Sequence, residues 1–170
     1  MKLFAALAVV LLGTVVAAQA ETFSVGEFEF TTPEGWKAVQ PSSPMRKAQL
    51  SVPGEPEPAE VTFFHFGPGQ GGGPQANIDR WVGQIDGGIE NAMQKTEQFG
   101  ATKVWFVTAT GTFQSGMPGG PTTPKEGYGL RGAILESKDG DVFVKMTGPE
   151  AVVSGAAGAF DAMIEAAAKK

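Results

Sequence analysis

A chain of 170 residues with no cysteine and one histidine can hold neither a disulfide nor a zinc site of the usual kind, so its core must rest on packing alone. Its 13 basic residues are outnumbered by 18 acidic ones, for a formal charge of −5, and the bases are scattered. That balance argues against nucleic acid as a partner and against a polybasic anchor for anionic lipid.

Residues 1–20, MKLFAALAVVLLGTVVAAQA, place one lysine before a short apolar run and end in Ala18-Gln19-Ala20. This is the pattern of an export signal, with mature residues from Glu21 onward and no membrane span after its removal. The expected location is the periplasm or the extracellular space. Loss of Lys2 leaves 12 basic against 18 acidic residues, a charge of −6. Residues 21–170 suffice for one domain with its own core.

Phe23 and Val25 alternate, Gly26 allows a bend, and Phe28 and Phe30 resume the alternation before the turn at Pro33-Glu34-Gly35. Trp36 and Ala38 begin a short strand. Ala48, Leu50 and Val52 mark one face of another, and the prolines at 53, 56 and 58 impose a loop. In EVTFFHF, Val61, Phe63 and His65 oppose Thr62, Phe64 and Phe66, so both faces are apolar and the strand is expected to be central.

After Pro74 the apolar spacing becomes helical, through Ile78, Trp81, Val82 and Ile85. Gly87-Gly88 is a potential break, and Ile89, Met93 and Phe99 extend the stripe beyond it. TKVWFVTATGTF reads as a strand, residues 114–127 as a long loop rich in proline and glycine, and Lys138-Asp139-Gly140 as a hairpin turn between two antiparallel strands. Pro149 suits the first turn of a last helix with Val152, Val153, Ala156, Phe160, Met163, Ile164 and Ala167 on its inner face. The expected fold is α+β, a central antiparallel or mixed sheet of about six strands with two to three packed helices.

The segments FEFTTPEGW, FFHFGPGQGG, NIDRW and RGAILESKDGDVFVKMTGP, in this order, resemble a group of secreted bacterial proteins, many of them from planctomycete-type bacteria. That group in turn is similar to the PsbP-like α/β sandwich. The resemblance implies an architecture and an exported location, and it implies no reaction. No cofactor-contacting residue of the photosynthetic members matches a position here, so no cofactor is carried over.

Gly67, Gly69 and Gly71-Gly72-Gly73 precede a helix and could turn backbone N–H groups toward an anion, or could simply form a tight turn. The loop lacks the spacing of a Walker A or dinucleotide motif. His65 is either a core residue bonded to a carbonyl or an acid–base group that needs a carboxylate or nucleophile beside it. Asn77, Asp79 and Arg80 fall largely on the helix face opposite Ile78 and Trp81, where Asn77 or Asp79 could cap the first turn and Arg80 could present its guanidinium to a partner. Arg131 and Lys145 stand on the strands of the late hairpin; counting from the turn sets Leu135 near Val144, so the two cations are not opposed but could share a basic patch for an acidic ligand. No catalytic or metal-ligating constellation is legible.

The function read from these residues is an exported, non-catalytic binding or assembly module, with an envelope protein or a small molecule as partner. Two alternatives stand beside it. One is a small acid–base hydrolase using His65 with Asp79 or Ser115, and the other an envelope carrier whose phenylalanines line an apolar pocket.

Overall fold

The computed structural model describes residues 21–116 and 120–170, so the leader-like residues 1–20 lie outside the described part. Strands β1 (Thr22–Val25) and β2 (Phe28–Thr31) form a two-stranded hairpin in which Gly26 takes φ 58°, the positive φ a two-residue hairpin loop demands. All the other strands belong to one antiparallel sheet: β3 (Lys37–Ala38), β4 (Arg46–Val52), β5 (Ala59–His65), β6 (Ile85–Asp86), β7 (Met93–Phe99), β8 (Thr102–Gly116), β9 (Thr122–Leu135) and β10 (Val142–Pro149). Their order is β3-β4-β5-β10-β9-β8, with β6 and β7 both on the outer edge of β8. The helices are α1 (Pro74–Val82), the single turn α2 (Gly88–Asn91) and α3 (Glu150–Ala168).

The sheet therefore has eight strands where about six were expected, while the α+β class and the packed helices hold. β5 lies inside the sheet between β4 and β10, as its two apolar faces require. Its Val61 and Phe63 look toward α3 and the β1–β2 hairpin, where Phe23, Phe30 and Phe63 pack with centroid separations of 5.1 to 5.7 Å. Val153, Phe160, Met163 and Ile164 of α3 close the same core. α3 is long and apolar enough to cross a bilayer, yet its apolar stripe is the one buried on the sheet. Pro149 caps α3 rather than standing in its first turn.

The opposite face carries a second core, in which Ile78, Trp81 and Val82 of α1 meet Val107, Ala109, Leu130, Ile134 and Phe143. Gly132 permits this approach: a Cβ there would stand 2.6 Å from the Trp81 ring and 2.9 Å from Val107.

Three expectations change. Residues 93–99 are a strand on β8, not the continuation of a helix, and Ile89 and Met93 are 78% and 71% exposed. The helix also ends before the expected Gly87-Gly88 break, at Val82 with Gly83 as C-cap, so that Ile85 lies in β6 opposite Phe113; Gly87 in the left-handed region (φ 81°) then separates β6 from α2, and seven ladder positions on β8 outweigh the helical stripe beyond it. The stretch 114–127 is mostly hairpin arm, since Gln114, Ser115 and Gly116 pair with Pro124, Thr123 and Thr122. The β9–β10 hairpin forms, but with Leu135 opposite Val142 rather than Val144. Its connection is widened because Asp141 Oδ1 accepts from Ser137 N–H at 3.1 Å and Gly140 packs against the Gly67 carbonyl.

Candidate functional site

Strand alternation decides where Arg131 and Lys145 point. Lys145 is opposite Gly132, one position from Arg131, so successive side chains leave opposite faces of the sheet. Arg131 turns to α3, where its Nε donates to Asp161 Oδ1 at 2.8 Å and its second nitrogen to Asp161 Oδ2. This bidentate pair neutralises it. The two cations do not form one patch.

Lys145 stands on the α1 face, in a cross-strand row with Gln49 and Thr62, beside the end of α1. α1 packs on β8 and β9, and on the β4–β5–β10 half of this face the polar Gln49, Glu60, Thr62 and Lys145 stand beside Phe64. Thr62 Oγ1 donates to the Lys145 carbonyl at 3.2 Å. Lys145 Nζ donates to Gln84 Oε1 at 2.9 Å and lies 5.9 Å from the centre of the Phe113 ring. No carboxylate among the described residues forms an ion pair with it. Burial, and then the positive charges of Arg46 and Arg80, push its pKa down from 10.5 to about 8, with Glu60 acting weakly the other way.

Arg46 and Glu60 form an ion pair at 2.9 Å, and Gln49 bridges them by accepting from Arg46 at 3.0 Å and donating to Glu60 at 2.6 Å. Arg80, in the last turn of α1, donates to Asn77 Oδ1 at 2.5 Å and has no carboxylate partner among the described residues. Lys145 thus stands within the field of two cations, Arg46 and Arg80, and of one carboxylate, Glu60, which is itself paired with Arg46. The tract continues along β4, β5 and β10 into a groove of about 400 Å³ lined by Ser51, Glu60, Phe113, Tyr128 and Thr147. At its rim the Tyr128 hydroxyl donates to Glu57 at 2.5 Å and accepts from Lys125 at 2.8 Å. The Tyr128 bond, and a bond that Lys125 Nζ donates to Glu57 Oε2 at 3.1 Å, lower the Glu57 pKa, while burial and Glu57 raise that of Tyr128.

The glycine loop is built differently from an anion nest. Asn77, expected on the open face of α1, is buried and donates to the carbonyls of Gly71 and Gly73 at 2.9 and 3.0 Å. The N-cap is Gly73, and neither Asn77 nor Asp79 caps the helix. Gly71 (φ 85°) lies where a Cβ would meet the Phe66 and Phe143 rings, whereas Gly69 and Gly72 are exposed in the turn. Asp79 accepts from Gln75 at 2.8 Å. The loop is a strand-to-helix joint stitched by Asn77.

His65 ends β5 on the α3 face, its Nε2 3.1 Å from the Asp139 carbonyl and its ring against Gly26. Asp79 belongs to α1 on the other face. Ser115 lies toward the far end of β8, on the order of 30 Å away at about 3.3 Å per residue. Neither expected partner reaches the imidazole. A depression of about 1150 Å³ lies at the His65 end of the sheet, but its walls alternate Glu27, Glu136, Asp139 and Asp141 with Lys103, Lys138, Lys169 and Lys170, which gives no net sign to a ligand.

Of the residues singled out in the sequence, the structure brings Asn77, Arg80 and Lys145 together. Arg46, Glu60 and Gln84 were missed. A lysine alternating with Phe143 on a strand as apolar as VFVKM was the one available signal; the others enter only through the β4–β5 register and the end of α1.

No family model matches the sequence, and no curated protein matches it significantly. Among solved structures the chain is similar to cyanobacterial PsbP (CyanoP) from Synechocystis sp., with TM-score 0.56 and 10% identity over 91% of this chain and 94% of that one. It is also similar to a protein of unknown function from Pseudomonas aeruginosa, with TM-score 0.47 and 12% identity over 87% of this chain and 95% of that one. The first likeness shows a PsbP-like fold and nothing of ligand or partner.

Proposed function

We propose that this chain is an exported, non-catalytic binding module that receives an anionic group, a carboxylate or a phosphate, between Lys145, Arg80 and Arg46. The observation that carries the reading is Lys145, a cation set into the sheet with no carboxylate in contact, near Arg80, which has none among the described residues either, and Arg46, whose charge is shared with Glu60. An anion at its Nζ would offset both the lost hydration and the repulsion, and Gln84 and Thr62 hold the lysine in place for it. The separation of His65 from Asp79 and Ser115 favours binding over acid–base chemistry. The burial of Phe30, Phe63, Phe143 and Phe160 favours a packed interior over an apolar carrier. Export rests on the sequence of residues 1–20.

Amide shifts recorded while inorganic phosphate or succinate is added to residues 21–170 test this. Saturable shifts centred on residues 62, 80, 84 and 145 support it. Shifts spread evenly over all surface lysines, or none, would refute it.

A further inference from the structure

β7 forms part of the outer border of the sheet. One side pairs with β8, and no other strand among the described residues pairs with it. Alternate backbone N–H and C=O groups on that side face outward, a template for another strand. Proteins often guard such an edge with lysine, because a bare ammonium opposes pairing. Here the guard is matched two residues on, since Met93-Gln94-Lys95-Thr96-Glu97-Gln98-Phe99 has the same chemical order in both directions about Thr96.

An antiparallel copy centred on Thr96 sets Met93 opposite Phe99, Gln94 opposite Gln98 and Lys95 opposite Glu97, and each pair recurs by symmetry. Met93, Lys95, Glu97 and Phe99 share one face and the glutamines the other, so the faces of the two sheets continue into each other. Centring the pair on Lys95 or on Glu97 instead would place like charges directly opposite. Among these three central registers the charges therefore favour the one on Thr96, which also pairs the whole strand. Lys95 and Glu97 pair with each other at 2.5 Å within the strand, yet their side chains stay 56% and 41% exposed, so each can also meet its opposite number on a partner. Ile89 and Met93, the two most exposed large hydrophobic residues described, lie at the start of this edge.

We infer that two copies of this chain associate through β7, antiparallel and centred on Thr96, joining their sheets into one. This pairing is independent of the anion reading, since Lys145 is on β10 in the interior of the sheet.

Sedimentation equilibrium of residues 21–170, which contain the whole described core, tests the pairing together with Lys95→Glu and Glu97→Lys. Wild type is expected to move from monomer toward dimer as concentration rises. Each single variant replaces two attractive pairs by two repulsive ones and is expected to associate at least about 10-fold more weakly. An equimolar mixture of the two variants restores opposite charges at both pairs and should recover a heterodimer. A wild type that stays monomeric at every concentration would overturn the inference without reference to any variant. Variants that associate as wild type does, or well-folded variants whose mixture stays monomeric, would overturn it as well.

Discussion

Replacing Lys145 by Met keeps the length of the buried stem and removes the ammonium. The fall of the lysine pKa from 10.5 to about 8 represents about 3 kcal/mol of folding free energy lost while the group is charged. Met leaves Gln84 Oε1 without its donor, at a cost of about 1 kcal/mol. The variant should therefore be more stable than wild type by about 2 kcal/mol at pH 7. The sign depends on pH. The unfolded lysine titrates near 10.5 and the folded one near 8, so wild type gains stability as pH rises through that window, and the penalty is fully present below it. The advantage of Lys145→Met should shrink from pH 8 upward and vanish at about pH 10, reversing above it. Urea unfolding at pH 7 and pH 10 reads both values. A variant less stable at pH 7, or an advantage that does not change with pH, would refute the reasoning. A gain in stability on losing a buried cation is the expected mark of a residue kept for binding.

Gly132→Ala pushes a methyl group into the Trp81 ring and should cost about 1 to 3 kcal/mol by denaturant unfolding, with Trp81 fluorescence altered in the folded state. Tyr128 is the only tyrosine, so absorbance at 295 nm follows its ionisation alone. Its midpoint should exceed 10, fall in Glu57→Gln and rise in Lys125→Met, because Glu57 raises and Lys125 lowers it; a wild-type midpoint at or below 10 contradicts the network. Asn77→Ala frees the carbonyls of Gly71 and Gly73, and it should cost about 1 to 3 kcal/mol and speed amide exchange across residues 67–74; unchanged exchange there would show that Asn77 does not hold the joint.

Periodicity found the elements wherever burial is one-sided: the inner stripe of α3 and the first turns of α1 were legible because their apolar residues recur at the helical period. The central position of β5 was legible for the opposite reason, that both its faces are apolar. Residues 93–99 were not, because Ile89, Met93 and Phe99 imitate a helical stripe while the ladder on β8, contributed by a distant strand, makes them a strand. The Asp-Gly signal located the late hairpin, yet the Gly140–Gly67 contact and the Asp141 side chain set its loop and moved the register by two residues; that shift keeps every side chain on its face, and Arg131 and Lys145 part because their positions differ in parity across the pairing. Asn77 was read as exposed because the helical face was counted from Ile78 and Trp81 alone, without the glycine loop that folds over it. Lys145 was visible as a cation in a central strand. Its neighbours Arg46 and Arg80 come from β4 and α1, which no local pattern joins.

The titration of Lys145 by side-chain NMR, in the absence and then the presence of saturating inorganic phosphate or succinate, tests the central claim most directly. A midpoint near 8 that climbs toward 10 with the anion is the predicted result, because an anion bound at Nζ favours the charged lysine. A midpoint that the anion leaves unmoved would show that nothing binds at Lys145 and would contradict the account.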